Sequence, residues 1–388
     1  MKNNISQALI LSAGPNGLGA IRSLNSAGIE VDIIAMDSQD VSLLSRLPQC
    51  KKFLSKPFHH DELLKLLIEW PVKNIVIIPT SDFFVDFLQT NQKVLSKSFK
   101  FILPSGDLSL GLIDKKKEVE IVSKFTHLPK TITELPDNSA ELLLKISLPL
   151  IIKPRSNELN YLNRKNIPVF TKEELEQFYQ EYSQYKQYCI VQELIEGTDD
   201  NLWVCNCTFN KNSELINAFT FQRLQLTPPH FGVTCYAESK VNKEVLNQVE
   251  ILGKGLNYTG PAMVEFKYDI RDGLYKYIEI NPRLGLCNYF DTSCNKNNVY
   301  ATYCVVNNIN FNEQPQKENR MFLSLYEDLY SRFKDDQRPL SVFKTYWHNA
   351  FKLHTFMYFS WVDLWPSFVM TSRQAYKIIK SVINKLKA

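Results

Sequence analysis

The chain has 388 residues, 44% of them hydrophobic and 22% charged, with a formal net charge of +4. These are the values of an ordinary soluble globular protein of two or three domains. So small a charge excess gives no case for a nucleic-acid partner, and no apolar run reaches membrane-spanning length.

The eight cysteines form no C-x-x-C pair and no Cys/His cluster with zinc spacing. No signal peptide is expected, because Met1-Lys2-Asn3-Asn4 leads directly into a strand. Free thiols in a cytoplasmic protein are the expectation.

Residues 8–12 read as a short apolar strand. Ala13-Gly14-Pro15-Asn16-Gly17-Leu18-Gly19 turns it into a helix to about residue 27, and residues 31–35 form a second strand. This β-α-β unit predicts a parallel sheet covered by helices. The glycine spacing is G-x-x-G-x-G, not the G-x-G-x-x-G of a dinucleotide fingerprint, so tight packing is favoured over nicotinamide binding. Residues 75–78 form a third strand and 101–103 a fourth. Thr80-Ser81-Asp82 follows a strand end, where a helix cap and a ligand contact both fit.

Asp114 caps a helix to about residue 125, and Lys115-Lys116-Lys117 taken alone reads as a solvated face. In Leu150-Ile151-Ile152-Lys153-Pro154, a lysine sits on an apolar strand, where it needs a partner anion. Residues 156–169 contain no glycine but include Arg164 and Lys165. Thr171 and Glu174 form a capping-box pair. Cys189 to Gly197 is a strand entering a turn. Strands at 202–209 and up to Arg223 precede a loop, Pro228-Pro229-His230-Phe231-Gly232, whose lone histidine reads as a surface residue.

Two alternating segments follow, Met263-Val264-Glu265-Phe266-Lys267-Tyr268-Asp269 and Tyr277-Ile278-Glu279-Ile280-Asn281-Pro282-Arg283. Asp272-Gly273 between them predicts a hairpin. Glu279 and Asn281 share one face, and Glu265 projects from the neighbouring strand. Two carboxylates and an amide oxygen suit Mg2+ or Mn2+, and Arg283 adds positive charge for a metal-bridged triphosphate. Residues 351–370 are aromatic and apolar. The last helix places Ala375, Ile378, Ile379, Val382, Ile383 and Leu386 on one stripe. Ordinary packing of that stripe is favoured over an interfacial membrane contact.

On the Glu265 strand, the E-I-N-P-R strand, the Lys153-Pro154 pair and the Asp114-Lys115 pair, the chain resembles the ATP-grasp superfamily. The likeness is to its carboxylate–amine ligases, such as the large subunit of carbamoyl-phosphate synthase and D-aspartate ligase. It implies an α/β ATP-grasp fold: a Rossmann-like pre-ATP-grasp domain at 1–112, a lid at 113–196, a large domain with the metal site at 197–312 and a partly helical extension at 313–388. It implies that Lys115 and Lys153 hold ATP phosphates. The hinge at Gln192, Glu193 and Ile195 would clamp adenine, with Gln192 and Glu193 both fitting the acidic position. Asp199 or Asp200 would accept the ribose hydroxyls, and Arg223 would face the transferred phosphoryl group beside Arg283. Glu265, Glu279 and Asn281 would hold the metal. The glycine-rich flap common in relatives is missing at 156–169, so side chains there replace backbone amides or the segment does something else.

The implied activity is ATP-dependent amide formation through an acyl phosphate, releasing ADP and phosphate. Small-molecule acids and amines, including a cell-wall or capsule precursor, fit as substrates, and a homodimer stays open. An ATP-binding regulatory domain without turnover, carboxylation through carboxyphosphate, and a nicotinamide oxidoreductase are the alternatives.

Overall fold

The computed structural model describes residues 7–55, 59–156 and 159–387, and in the last helix it leaves the side chains of 377–379 and 381–387 aside. The opening tetrapeptide and most of the final apolar stripe therefore lie outside the described residues.

Three sheets organise the chain. The first is parallel and five-stranded, in the order Lys51–Phe53, Val31–Ala35, Ala8–Ser12, Ile75–Pro79, Phe99–Lys100. Its three central strands are buried along their whole length, as a parallel sheet covered on both faces requires. The Lys51–Phe53 edge strand was not expected. It is exposed and begins with two lysines, which blunt a free edge. The last strand pairs at Phe99–Lys100, two residues before the expected segment.

The glycine turn explains itself by packing. Gly14 lies at φ +59, and a Cβ on Gly17 would fall 1.7 Å from Ser12 Oγ. A Cβ on Gly19 would fall 2.2 Å from Oδ1 of Asn288, whose own amide nitrogen is tied to Asn16 and Gly285. Gly19 thus lets the Gly14–Ser26 helix lie against the Asn288–Ser293 helix. Gly19→Ala should cost about 1–3 kcal/mol in urea unfolding, through overpacking at a site that cannot give way. An unchanged midpoint would refute this account of the contact.

The second sheet is antiparallel, in the order Thr131–Ile132, Cys189–Glu193, Leu150–Pro154, Ile167–Val169. Leu142, Leu150, Ile152, Leu175 and Val191 form its core. The capping box on the Lys172–Tyr182 helix is present.

The third sheet has seven strands: Leu274–Asn281, Gly260–Asp269, Leu202–Phe209, Leu215–Thr227, Val233–Ser239, Met321–Leu323 and His354–Phe356. Val122, Val249 and Leu252 pack on it with Phe209, Val264 and Ile280. The Lys115–Val122 helix therefore shares the core of this sheet, although its sequence position falls within the expected lid. Likewise, two strands of the segment expected as an extension complete the same sheet.

The C-terminal segment is tied back to the first domain. Arg22 is almost fully buried and donates to the carbonyls of Met357, Tyr358 and Asp363, with the Asp363 carboxylate 3.5 Å from its Nε. Among the described residues no helix is long and apolar enough to cross a membrane.

Candidate active site

A cleft of about 880 Å³ lies where the three sheets meet. Its floor is the predicted hairpin. Glu265 and Glu279 stand directly opposite each other in the ladder, and Asn281 follows two residues on. Strand alternation puts all three side chains on one face.

Cations close around this floor. Lys115 Nζ is 3.3 Å from Glu279 and 3.5 Å from Glu118. Burial works against its charge, but Glu118 and Glu279 outweigh that and raise its pKa. Burial pushes Glu279 up, yet Lys115, Lys165 and Lys153 outweigh it and hold the carboxylate well below its usual range. Arg223 grips Glu265 with both terminal nitrogens, one at 2.8 Å, a buried bidentate pair. Arg283 spans Asp82 at 2.7 Å and Asn281 Oδ1 at 3.1 Å.

Among the described residues no carboxylate pairs with Lys153. Its ammonium donates to Gln192 Oε1 at 2.8 Å. Burial, then the charge of Lys115, lowers its pKa to about 8. A cation held in that state is poised for an incoming anion. The glycine-free segment lines the cleft with Asn160, Asn163, Arg164, Lys165 and Asn166.

The hinge is only partly open to a ligand. The Glu193 amide donates to Lys130 and the Leu194 amide to Pro149. The Glu193 carboxylate is engaged by Arg271 at 2.6 Å and by Lys276 at 3.4 Å. Gln192 spends its side chain on Lys153 and Thr131. Ile195 lines the cleft, buried, beyond these bonds. Neither Asp199 nor Asp200 lines the cleft in the ligand-free protein. Residues Asp199–Asn201 form a tight turn in which the Asp200 carboxylate folds back onto the Thr198 hydroxyl. Asp199 is bound to His230 Nδ1 at 3.2 Å.

The first-domain turn contributes Ala13, Pro15 and Asn16 to the wall. The Ala13 and Gly14 amides are already taken by Thr80 Oγ1 and Asp40 Oδ2. Ser81 caps the following helix and Asp82 holds Arg283, so Thr80-Ser81-Asp82 serves both as cap and as cleft wall.

Sequence reasoning missed Glu118. It lies in a Lys-Lys-Lys-Glu run that reads as solvated, yet it is buried, accepts from the Tyr277 hydroxyl and the Ile280 amide, and steadies Lys115. It also missed Glu327 and Tyr358, which reach the cleft from the C-terminal segment.

The donor set fits a hard divalent cation. No group of three or more His, Cys, Asp or Glu side chains gathers to hold an ion among the described residues. Two carboxylates and one amide oxygen, completed by phosphate and water, match Mg2+, which rarely takes an all-protein cage.

No family model matches the chain. It is 27% identical to a D-aspartate ligase of Enterococcus faecium (strain Aus0004) over 310 residues, covering 73% of this chain and 72% of the relative. Among solved structures it is similar to biotin carboxylase of Campylobacter jejuni in complex with an ATP analogue (TM-score 0.64, 13% identity, 81% of this chain and 74% of that one). It is similar as well to carboxyaminoimidazole ribonucleotide synthase of Aspergillus clavatus complexed with ATP (TM-score 0.62, 12% identity, 81% and 80%). The chain is thus similar in sequence to a carbon–nitrogen ligase and carries the fold that those two nucleotide-bound enzymes share, in agreement with the ATP-grasp resemblance of its motifs.

Proposed function

We propose that the cleft joins a small carboxylic acid to an amine, using ATP and passing through an acyl phosphate. The observation that carries this reading is the gathering of Lys115, Lys153, Arg223 and Arg283 around the Glu265–Glu279–Asn281 floor in one cleft. Such a constellation suits a triphosphate and a developing phosphoryl charge.

Acid and amine at neutral pH form only a salt. A carboxylate oxygen therefore attacks the γ-phosphorus, and ADP leaves with the bridging oxygen. The amine nitrogen then attacks the acyl carbon, phosphate leaves, and the nitrogen gives up its proton. Lys153 and Lys115 hold phosphate oxygens, and Ile195 borders the adenine. Arg223 and Arg283 neutralise the transferred group. Glu265, Glu279 and Asn281 would hold Mg2+, which when bound supplies Lewis-acid charge neutralisation. In the metal-free cleft Arg223 and Lys115 neutralise Glu265 and Glu279; with Mg2+ on those carboxylates the two cations would be available to phosphate.

The relative's name makes D-aspartate the first amino acid to try. A cell-wall or capsule precursor in the cytoplasm fits as its partner. With an acid substrate labelled with ¹⁸O in its carboxylate, one label should appear in inorganic phosphate and the nucleotide product should be ADP. Formation of AMP and pyrophosphate would overturn the route, because adenylation leaves the label in AMP. ADP without label transfer would point to hydrolysis by a regulatory domain instead.

A further inference from the structure

The charge of this chain is unevenly placed. From Gln337 to Ala388 it carries eight lysines and arginines and one acidic residue, Asp363. Asp363 is buried against Arg22, so it does not offset that charge at the surface. The overall charge is only +4, so the rest of the chain is net acidic. Lys352 is paired with Glu238, but Arg338, Lys344 and Lys380 are exposed.

The same stretch exposes large aromatic rings. Phe351 is 93% exposed, Trp361 82% and Trp347 67%. Phe343 stacks on Trp347 along the Pro339–Asn349 helix, centroids 6.1 Å apart. A row of rings, Phe356 to Phe359 at 5.9 Å and Phe359 to Trp361 at 4.9 Å, leads out from the core cluster that also holds Tyr346. Three of the five tryptophans lie here. Scattered exposed apolar residues are ordinary. Aromatic rings concentrated beside charge of one sign mark a docking surface.

We propose that this C-terminal face docks on an anionic phospholipid surface. Tryptophan and phenylalanine rings settle at the headgroup level, where one side is apolar and the other wet. The exposed lysine and arginine residues of the same stretch would draw it to negative headgroups. The contact is interfacial, since no described helix can span the bilayer. A second copy of the chain is a poorer occupant. A two-fold contact sets the same patch against itself and would bring two basic faces together. An ordinary packed helix was the sequence expectation for the last helix; the exposed aromatic segment before it shifts the balance. The inference stands on the surface alone and does not depend on the ligase reading.

The test is flotation of the full chain with phosphatidylcholine vesicles, with and without phosphatidylglycerol, at low and high sodium chloride. Binding to the anionic vesicles should be at least about tenfold stronger than to neutral ones, and should weaken with salt. The combined variant Phe351→Ser, Trp347→Ser and Trp361→Ser should lose roughly tenfold or more of that binding. Its melting temperature should stay unchanged, because all three rings are outside the core. No flotation, equal flotation with both vesicle types, or full binding by the variant would each overturn the proposal. So would a wild-type dimer that the variant breaks into monomers in sedimentation, which would assign the face to a second copy.

Discussion

Exchanging Glu279 for glutamine is expected to lower ATP turnover by on the order of a thousandfold while leaving the protein folded. The change keeps the shape of the side chain and removes one charge. That charge does two things: it faces Glu265 across the ladder, as half of the proposed metal floor, and it balances Lys115 at 3.3 Å. The folded-state pKa of Glu279 is depressed, so its ionised form favours folding at every pH above the ordinary carboxylate range. That contribution fades only as pH falls through the lowered value. Some stability is therefore lost with the charge at neutral pH, about 1–3 kcal/mol for a half-buried pair left without one partner. The result to look for is a modest fall in the unfolding midpoint together with loss of ADP release. Near-normal ADP release would remove Glu279 from the metal site.

The hairpin was legible because two signals agreed. Period-two alternation placed Glu279 and Asn281 on one face and the Asp272-Gly273 turn marked the hairpin, while a one-residue register shift between Glu265 and Phe266, which the sequence does not show, sets Glu265 opposite Glu279. Lys153 was legible for a different reason. A lone cation on a wholly buried apolar strand needs an explanation that local structure does not supply. The Rossmann-like first domain followed from its buried strands in the same way.

What the sequence hid depends on long-range partners. Nothing near Glu118 shows that Tyr277 and Ile280 will fold over it, so a buried anchor for Lys115 reads as part of a solvated run. Arg22 and Asp363 meet from opposite ends of the chain, and their pairing brings Tyr358 toward the cleft. The strands Met321–Leu323 and His354–Phe356 are three residues each, too short to show a period, so the large sheet looked complete without them. Spacing alone does not show that the Asp200 carboxylate folds back onto the Thr198 hydroxyl in its tight turn.

The second large effect is expected at Lys153. Lys153→Met keeps most of the volume and removes the charge. ATP affinity should fall by roughly a hundredfold, as when one partner of a desolvated charge pair is truncated. Lys116→Ala should change affinity by less than about twofold, because Lys116 pairs with the exposed Glu134 at the surface. Stability should move the other way from affinity. In the folded protein the pKa of Lys153 falls from 10.5 to about 8, so the folded state binds this proton less well than the unfolded chain does. Its charge thus opposes folding fully below about pH 8, and the penalty fades as pH rises toward 10.5. Removing the charge should relieve roughly 3 kcal/mol at neutral pH, less about 1 kcal/mol for the Gln192 carbonyl left without its donor. Phosphate binding should restore the proton. At pH 8 the free protein holds about half of it, so the wild type should take up about half a proton with ATP and Lys153→Met none. Calorimetry in two buffers of different ionisation enthalpy measures that uptake directly. Equal ATP affinity in the two proteins, or equal proton uptake, would remove Lys153 from the phosphate site. A variant that binds ATP poorly yet melts higher would show a lysine held for its ligand at the expense of the empty fold.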